Sequence, residues 1–175
     1  QCEFCTVGPA KGKAPVKLDT IIYELGLLEE AGYKPNNIAL NTGQLPESGR
    51  DLVVIGELVS GLKARYPSYN IAAEVGPFSF LGRRDLDGYL NKTGLDGVDT
   101  FMLNVELATD SARKQLCPAK PSLKSYLSVM SGLSELCYQI SSVLQLNFYP
   151  ELEKLEEVAS YLQKIWEIGK GNIIP

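Results

Sequence analysis

The chain has 175 residues, 45% of them hydrophobic and 22% charged, which is enough for one domain, residues 1–175, with a sizeable core. Its net charge of -4 and the lack of a basic run argue against nucleic-acid binding, and no apolar run reaches the ~20 residues of a membrane span. Histidine is absent, which removes Ser–His and Cys–His nucleophile pairs and histidine metal sites, so a cofactor, carboxylates or lysines must carry any chemistry.

The chain opens on Gln1-Cys2-Glu3-Phe4-Cys5, where two cysteines bracket a short turn with an aromatic just before the second. Such a turn aims two thiolates at one point, as a metal or an iron–sulfur cluster requires. By itself the spacing also fits a zinc knuckle or a redox dithiol. Residues 6–16 are a Gly-, Pro- and Lys-containing loop without the full P-loop spacing.

A helix then starts with Asp19 or Thr20 as its cap; Leu18, Ile21, Ile22, Leu25 and Leu28 form its apolar stripe and Gly32 ends it. Ile38 to Thr42 read as a strand running into Gly43, and residues 43–49 as a polar loop. A helix over about 50–64 turns Leu52, Ile55, Leu58, Val59 and Leu62 inward and is closed by Pro67. Residues 70–75 form a strand stopped by Gly76-Pro77, Asp85 to Lys92 a helix, and Val98 to Val105 a strand. A short helix over 110–116 is broken by Pro118 and Pro121, after which Ser122 caps a longer one bearing Leu123, Leu127, Met130 and Leu133. Tyr138 to Phe148 make the next strand. Glu151 to Ile168 make the last helix, with Leu152, Leu155, Ala159, Leu162 and Trp166 on its stripe, and 172–174 begin a final strand.

This alternation implies parallel strands joined by right-handed crossovers, as a doubly wound sheet or a barrel. Strands 38–42, 70–75, 98–105 and 140–148 should lie side by side in that order with the helices on one face. In a barrel the working residues stand at the C-terminal strand ends, where Thr42, Glu74 and Glu106 fall.

Three stretches resemble the radical S-adenosylmethionine (SAM) enzymes, and within them the biotin-synthase-like group that includes lipoyl-synthase-like proteins and hydrogenase maturases. Cys2-Glu3-Phe4-Cys5 matches the last four positions of the family's CxxxCxΦC motif, whose first cysteine would lie three residues before Gln1. Asn41-Thr42-Gly43-Gln44 stands where the family carries a Gly-Gly-Glu-like motif, here degenerate. Asn104-Val105-Glu106, Arg113 and Cys117-Pro118-Ala119-Lys120 match a strand ending in N-x-E, an arginine and a proline–small–lysine turn.

The resemblance implies an α/β fold, a parallel-stranded partial TIM-like (β/α)6 barrel lacking its first strand and its C-terminal part, as a piece of a longer or split enzyme. It implies Cys2 and Cys5 as ligands of a 4Fe-4S cluster. SAM would contact Phe4, Thr42, Gly43, Gln44, Glu74, Asn104, Glu106 and Arg113, with Glu106 taking a ribose or ammonium and Arg113 a carboxylate. The implied chemistry is a 5′-deoxyadenosyl radical that abstracts hydrogen, followed by sulfur insertion or carbon-skeleton change in a small-molecule substrate. A ferredoxin- or flavodoxin-like electron donor and a cytoplasmic location go with it. No single catalytic residue and no substrate are readable.

Other readings of the same residues stay open. The CxxC pair would hold zinc if Cys117 or Cys137 completed the site, and a thiol–disulfide role is the third reading. Glu106 and Arg113 also fit a plain ion pair, Glu74 a partner for a lysine, Phe4 a core aromatic, and Cys117 and Cys137 two small buried hydrophobes.

Overall fold

The computed structural model describes residues 16–41, 49–143, 155–169 and 173–174. In chain order these form α1 (Leu18–Glu30), β1 (Asn37–Asn41), α2 (Gly49–Arg65), β2 (Asn70–Glu74), α3 (Leu86–Thr93), β3 (Thr100–Met102), α4 (Asp110–Leu116), α5 (Leu123–Glu135), β4 (Gln139–Ser141), α6 (Leu155–Gly169) and β5 (Ile173–Ile174). The five strands make one sheet in the order β1-β2-β3-β4-β5, every neighbouring pair parallel.

Paired residues of parallel strands share a face, so the register separates two surfaces. One carries Ile71, Ala73, Phe101 and Ile140, all fully buried in a core cluster with Val59 and Leu62 of α2, Leu90 of α3, Leu133 of α5 and Tyr161 of α6. Phe101 is its centre, met edge-on by Phe80 at 5.7 Å and Tyr138 at 5.1 Å. The other surface carries Ala39, Asn41, Ala72, Glu74, Thr100, Met102, Gln139 and Ser141, which are exposed or half-buried. A sheet helix-covered on one face and small and polar on the other is the wall of an open barrel.

Local chemistry accounts for most boundaries. Asp85 caps α3 by accepting from the Gly88 amide, Thr109 caps α4 and Ser122 caps α5. α2 crosses the end of α3 so closely that a Cβ on Gly56 would lie 1.7 Å from the Thr93 carbonyl. α1 and α5 end in the same motif. Gly32 and Cys137 take left-handed φ of 85° and 65°, and the next amides, Tyr33 and Tyr138, return to the carbonyls of Leu28 and Leu133.

Several expectations need correction. α1 has Lys17 at its cap position with no side-chain cap, and Asp19 instead lies in the first turn, where its charge suits the helix dipole. Leu28 is exposed and Leu25 is the buried member of that stripe. The strand expected over 98–105 narrows to Thr100–Met102; at its start the Asp99 carboxylate, in place of a ladder carbonyl, accepts from the Ile71 amide. On α6 the buried stripe is Val158, Tyr161 and Ile165, while Leu155, Leu162 and Trp166 are exposed. The helix is turned so that the Tyr161 hydroxyl lies 3.4 Å from Ser142 Oγ, which donates to the Leu103 carbonyl. Cys137 is exposed rather than buried. Phe148 and Leu152 lie outside the described residues.

Candidate functional site

The C-terminal strand ends bring together four residues of the polar stretches. Glu74, the last residue of β2, is in register with Asn41, the last of β1. Its Oε1 accepts from the Asn104 amide at 3.0 Å. The Asn104 main-chain oxygen accepts from Lys120 Nζ at 3.1 Å, and Lys120 Nζ stands 2.6 Å from Glu106 Oε2. Only 5% of the Lys120 side chain and 17% of the Glu106 side chain are exposed, so this ion pair sits in a weakly screening environment. The Cys117 thiol lies 3.7 Å from the same carboxylate oxygen as a weak donor.

The backbone that presents Glu106 is unusual. Its φ is 67°, and the Leu107 amide returns to the Val105 carbonyl at 2.8 Å. A three-residue turn with positive φ at its centre is the rarer, strained γ-turn. The Glu106 amide donates to the Val143 carbonyl at 2.7 Å, tying the turn to the chain leaving β4. Lys120 is placed by a second turn, its amide donating to the Cys117 carbonyl at 2.9 Å as α4 ends. Pro118 keeps that helix from continuing.

Arg113, expected to grip a ligand carboxylate, is buried and turned to main-chain acceptors. Its side chain is 2% exposed. One terminal nitrogen donates to the Val105 carbonyl and the other to the Pro121 carbonyl at 2.7 Å, and the guanidinium lies 4.6 Å over the Tyr126 ring. Nor does it pair with Glu106: its Nε, which has no hydrogen-bond partner among the described residues, stands 3.9 Å from Asp110 Oδ1. Among the described residues Lys120, which closes the proline–small–lysine turn, is a cation that reaches Glu106.

Glu74, Met102, Asn104, Lys120 and Tyr126 line a small cleft at this end of the sheet. Burial raises the Tyr126 phenol above its ordinary value against the opposing pull of the Lys120 and Arg113 charges, so the ring faces the cleft as a neutral group. Cys2, Phe4, Cys5, Thr42, Gly43 and Gln44 lie outside the described residues. Among the described residues no group of three or more Cys, Asp or Glu is placed to hold a metal ion. Cys117 lies beside Glu106 near the C-terminal strand ends, whereas Cys137 precedes β4 at the opposite end. No described helix is long and apolar enough to cross a membrane.

No family model matches the chain. The fold aligns with the cobalamin-dependent S-adenosylmethionine radical enzyme OxsB at a TM-score of 0.55 and 17% identity, over 83% of this chain and 21% of that one. The chain has the fold of a radical SAM enzyme. In sequence it is 24% identical over 174 residues to a 5-amino-6-(D-ribitylamino)uracil–L-tyrosine 4-hydroxyphenyl transferase of Methanosarcina mazei, covering 97% of this chain and 44% of the relative. The chain thus spans less than half the length of either protein. The likeness to a radical SAM enzyme is one of fold, and neither match points to the biotin-synthase-like group.

Proposed function

We propose that this chain forms part of the catalytic barrel of a radical SAM enzyme and that Glu106 and Lys120 hold the methionyl group of SAM. The observation that carries this reading is the buried 2.6 Å Glu106–Lys120 pair at the C-terminal end of a parallel sheet of radical SAM fold. The methionyl group bears an ammonium and a carboxylate. A glutamate accepts from the first, and a lysine donates to the second. Among the described residues two of the three Lys120 donors go to Glu106 and the Asn104 carbonyl, and we assign the third to a ligand carboxylate. The low exposure of the pair makes such contacts stronger than they would be in water.

Glu74 and Asn104, already joined to each other, form a polar ledge beside the pair for a ribose or for the substrate. Cys2 and Cys5 are the proposed cluster ligands, with Phe4, Thr42, Gly43 and Gln44 as further contacts to SAM. When bound, a reduced four-iron cluster and SAM supply the radical that abstracts hydrogen. A ferredoxin- or flavodoxin-like donor supplies the electron. Asn41, the last residue of β1 and in register with Glu74, adds an amide at the same end of the open sheet face for a polar substrate. The transferase relative, which by its name moves a hydroxyphenyl group, favours carbon-skeleton change over sulfur insertion.

The test is anaerobic reconstitution of the full-length protein with iron and sulfide, followed by calorimetric titration with SAM. The parent binds SAM, and Glu106→Gln weakens it by roughly ten- to a hundredfold, the loss of one charge-assisted contact, at unchanged iron content. A colourless zinc protein, or an iron-loaded one indifferent to SAM, overturns the reading.

A further inference from the structure

The buried guanidinium of Arg113 touches neither the ligand cleft nor a carboxylate at hydrogen-bond distance, yet both of its main-chain partners adjoin site residues. Val105 immediately precedes Glu106, and Pro121 immediately follows Lys120. The Val105 carbonyl is also the acceptor that closes the γ-turn, taking the Leu107 amide at 2.8 Å. One rigid planar group therefore spans the strained turn that presents the acid and the turn that presents the base. Tyr126 supports it face-on at 4.6 Å, and Asp110, which also accepts from the Leu123 amide at 2.7 Å, flanks its Nε.

We propose that Arg113 is a positioning residue that fixes the spacing of Glu106 and Lys120 by clamping the Glu106 γ-turn to the turn behind Lys120, so that the pair is held ready for a zwitterionic ligand. The use of SAM as that ligand rests on the function proposed above; the clamp itself does not. A left-handed glutamate persists only where its surroundings impose the conformation. The imposing contacts are the Glu106 amide on Val143 and the Arg113 donor on Val105. Lysine cannot replace this arginine, because one ammonium lacks the fixed fork that reaches two carbonyls on opposite sides.

The experiment compares the full-length parent with Arg113→Lys by amide hydrogen exchange at Leu107, which needs no ligand, and by calorimetric titration of the cluster-loaded proteins with SAM. The proposal expects Leu107 exchange to quicken at least tenfold and SAM affinity to fall at least tenfold under conditions where both proteins are fully folded. A purely structural arginine lowers the melting temperature and leaves both readouts unchanged in the folded protein, and that result overturns the proposal. If Arg113→Lys does not fold, Tyr126→Leu, which removes the ring under the guanidinium and leaves Glu106 and Lys120 in place, is read by Leu107 exchange alone. A quickened exchange supports the clamp, and an unchanged rate in the folded variant overturns it. A parent that ignores SAM sinks the functional reading, and the Leu107 exchange rates still decide the clamp.

Discussion

The sheet carries a lysine–carboxylate pair at each end, each with a 2.6 Å contact, and each end also holds a non-glycine residue in the left-handed region. At the N-terminal end Lys63 meets Asp99, and the side chains are 27% and 36% exposed. Both groups spend their other bonds on main chain near the strand starts: Asp99 accepts from the Ile71 amide at 2.7 Å and Lys63 donates to the Tyr69 carbonyl at 3.0 Å. That pair stitches β2 to β3, and water stands ready to replace it. At the C-terminal end Lys120 and Glu106 are far less exposed, and Glu106 is presented on strained backbone. Equal contact lengths thus conceal unequal roles. One pair closes a seam, while the other holds two opposite charges where water cannot easily follow.

The largest expected effect comes from breaking the C-terminal pair. Lys120→Met leaves Glu106 largely buried beside an apolar chain, and stripping one partner from a buried pair costs about 3 kcal/mol. Residual exposure of Glu106 keeps the loss at the lower end of that range. Urea denaturation at neutral pH measures it, and a loss below about 1 kcal/mol would mean the pair behaves as a surface one. Lys63→Met is the control at the other end. It should cost less than about 1 kcal/mol, as exposed pairs do, and leave SAM affinity as in the parent. If the Lys63 substitution is the costlier of the two, the contrast drawn between the ends fails.

Much of the fold was legible because its signals are local. Gly32 ends α1, Ser122 starts α5, and Gly76-Pro77 follows β2, each through a backbone preference that a few residues reveal. Parallel pairing followed from alternation and the crossover rule, while the sequential strand order followed from the barrel reading. The face of α6 was not legible, because that helix carries two apolar stripes, Leu155–Leu162–Trp166 and Val158–Tyr161–Ile165, and only the partner surface selects between them. The same limit applied at the site. Glu74 and Glu106 could be placed from strand ends and Asn104 from the resemblance, but sequence spacing does not say whether Arg113 or Lys120 reaches Glu106. That choice depends on a γ-turn centred on a glutamate, which has no signature in the sequence, and on a proline that swings the chain back after α4.

The two left-handed residues give the smallest and sharpest contrast, because the same substitution should act with opposite sign at the two ends. Cys137 occupies the position after α5 that Gly32 occupies after α1, with the same pair of returning hydrogen bonds. Its side chain is exposed. Cys137→Gly removes a left-handed penalty of about 1 kcal/mol. It adds the extra unfolded-state freedom of glycine, roughly 0.5 kcal/mol. The net expectation is a gain of about 0.5 kcal/mol with no change in SAM affinity. Glu106→Gly relieves the same backbone penalty but leaves Lys120 buried beside an empty position, so the protein loses stability despite the easier turn. Parallel urea titrations of the two variants measure both signs. If Glu106→Gly stabilises the protein as Cys137→Gly does, the γ-turn is a burden without a compensating ion pair, and the C-terminal end is not the poised site described above.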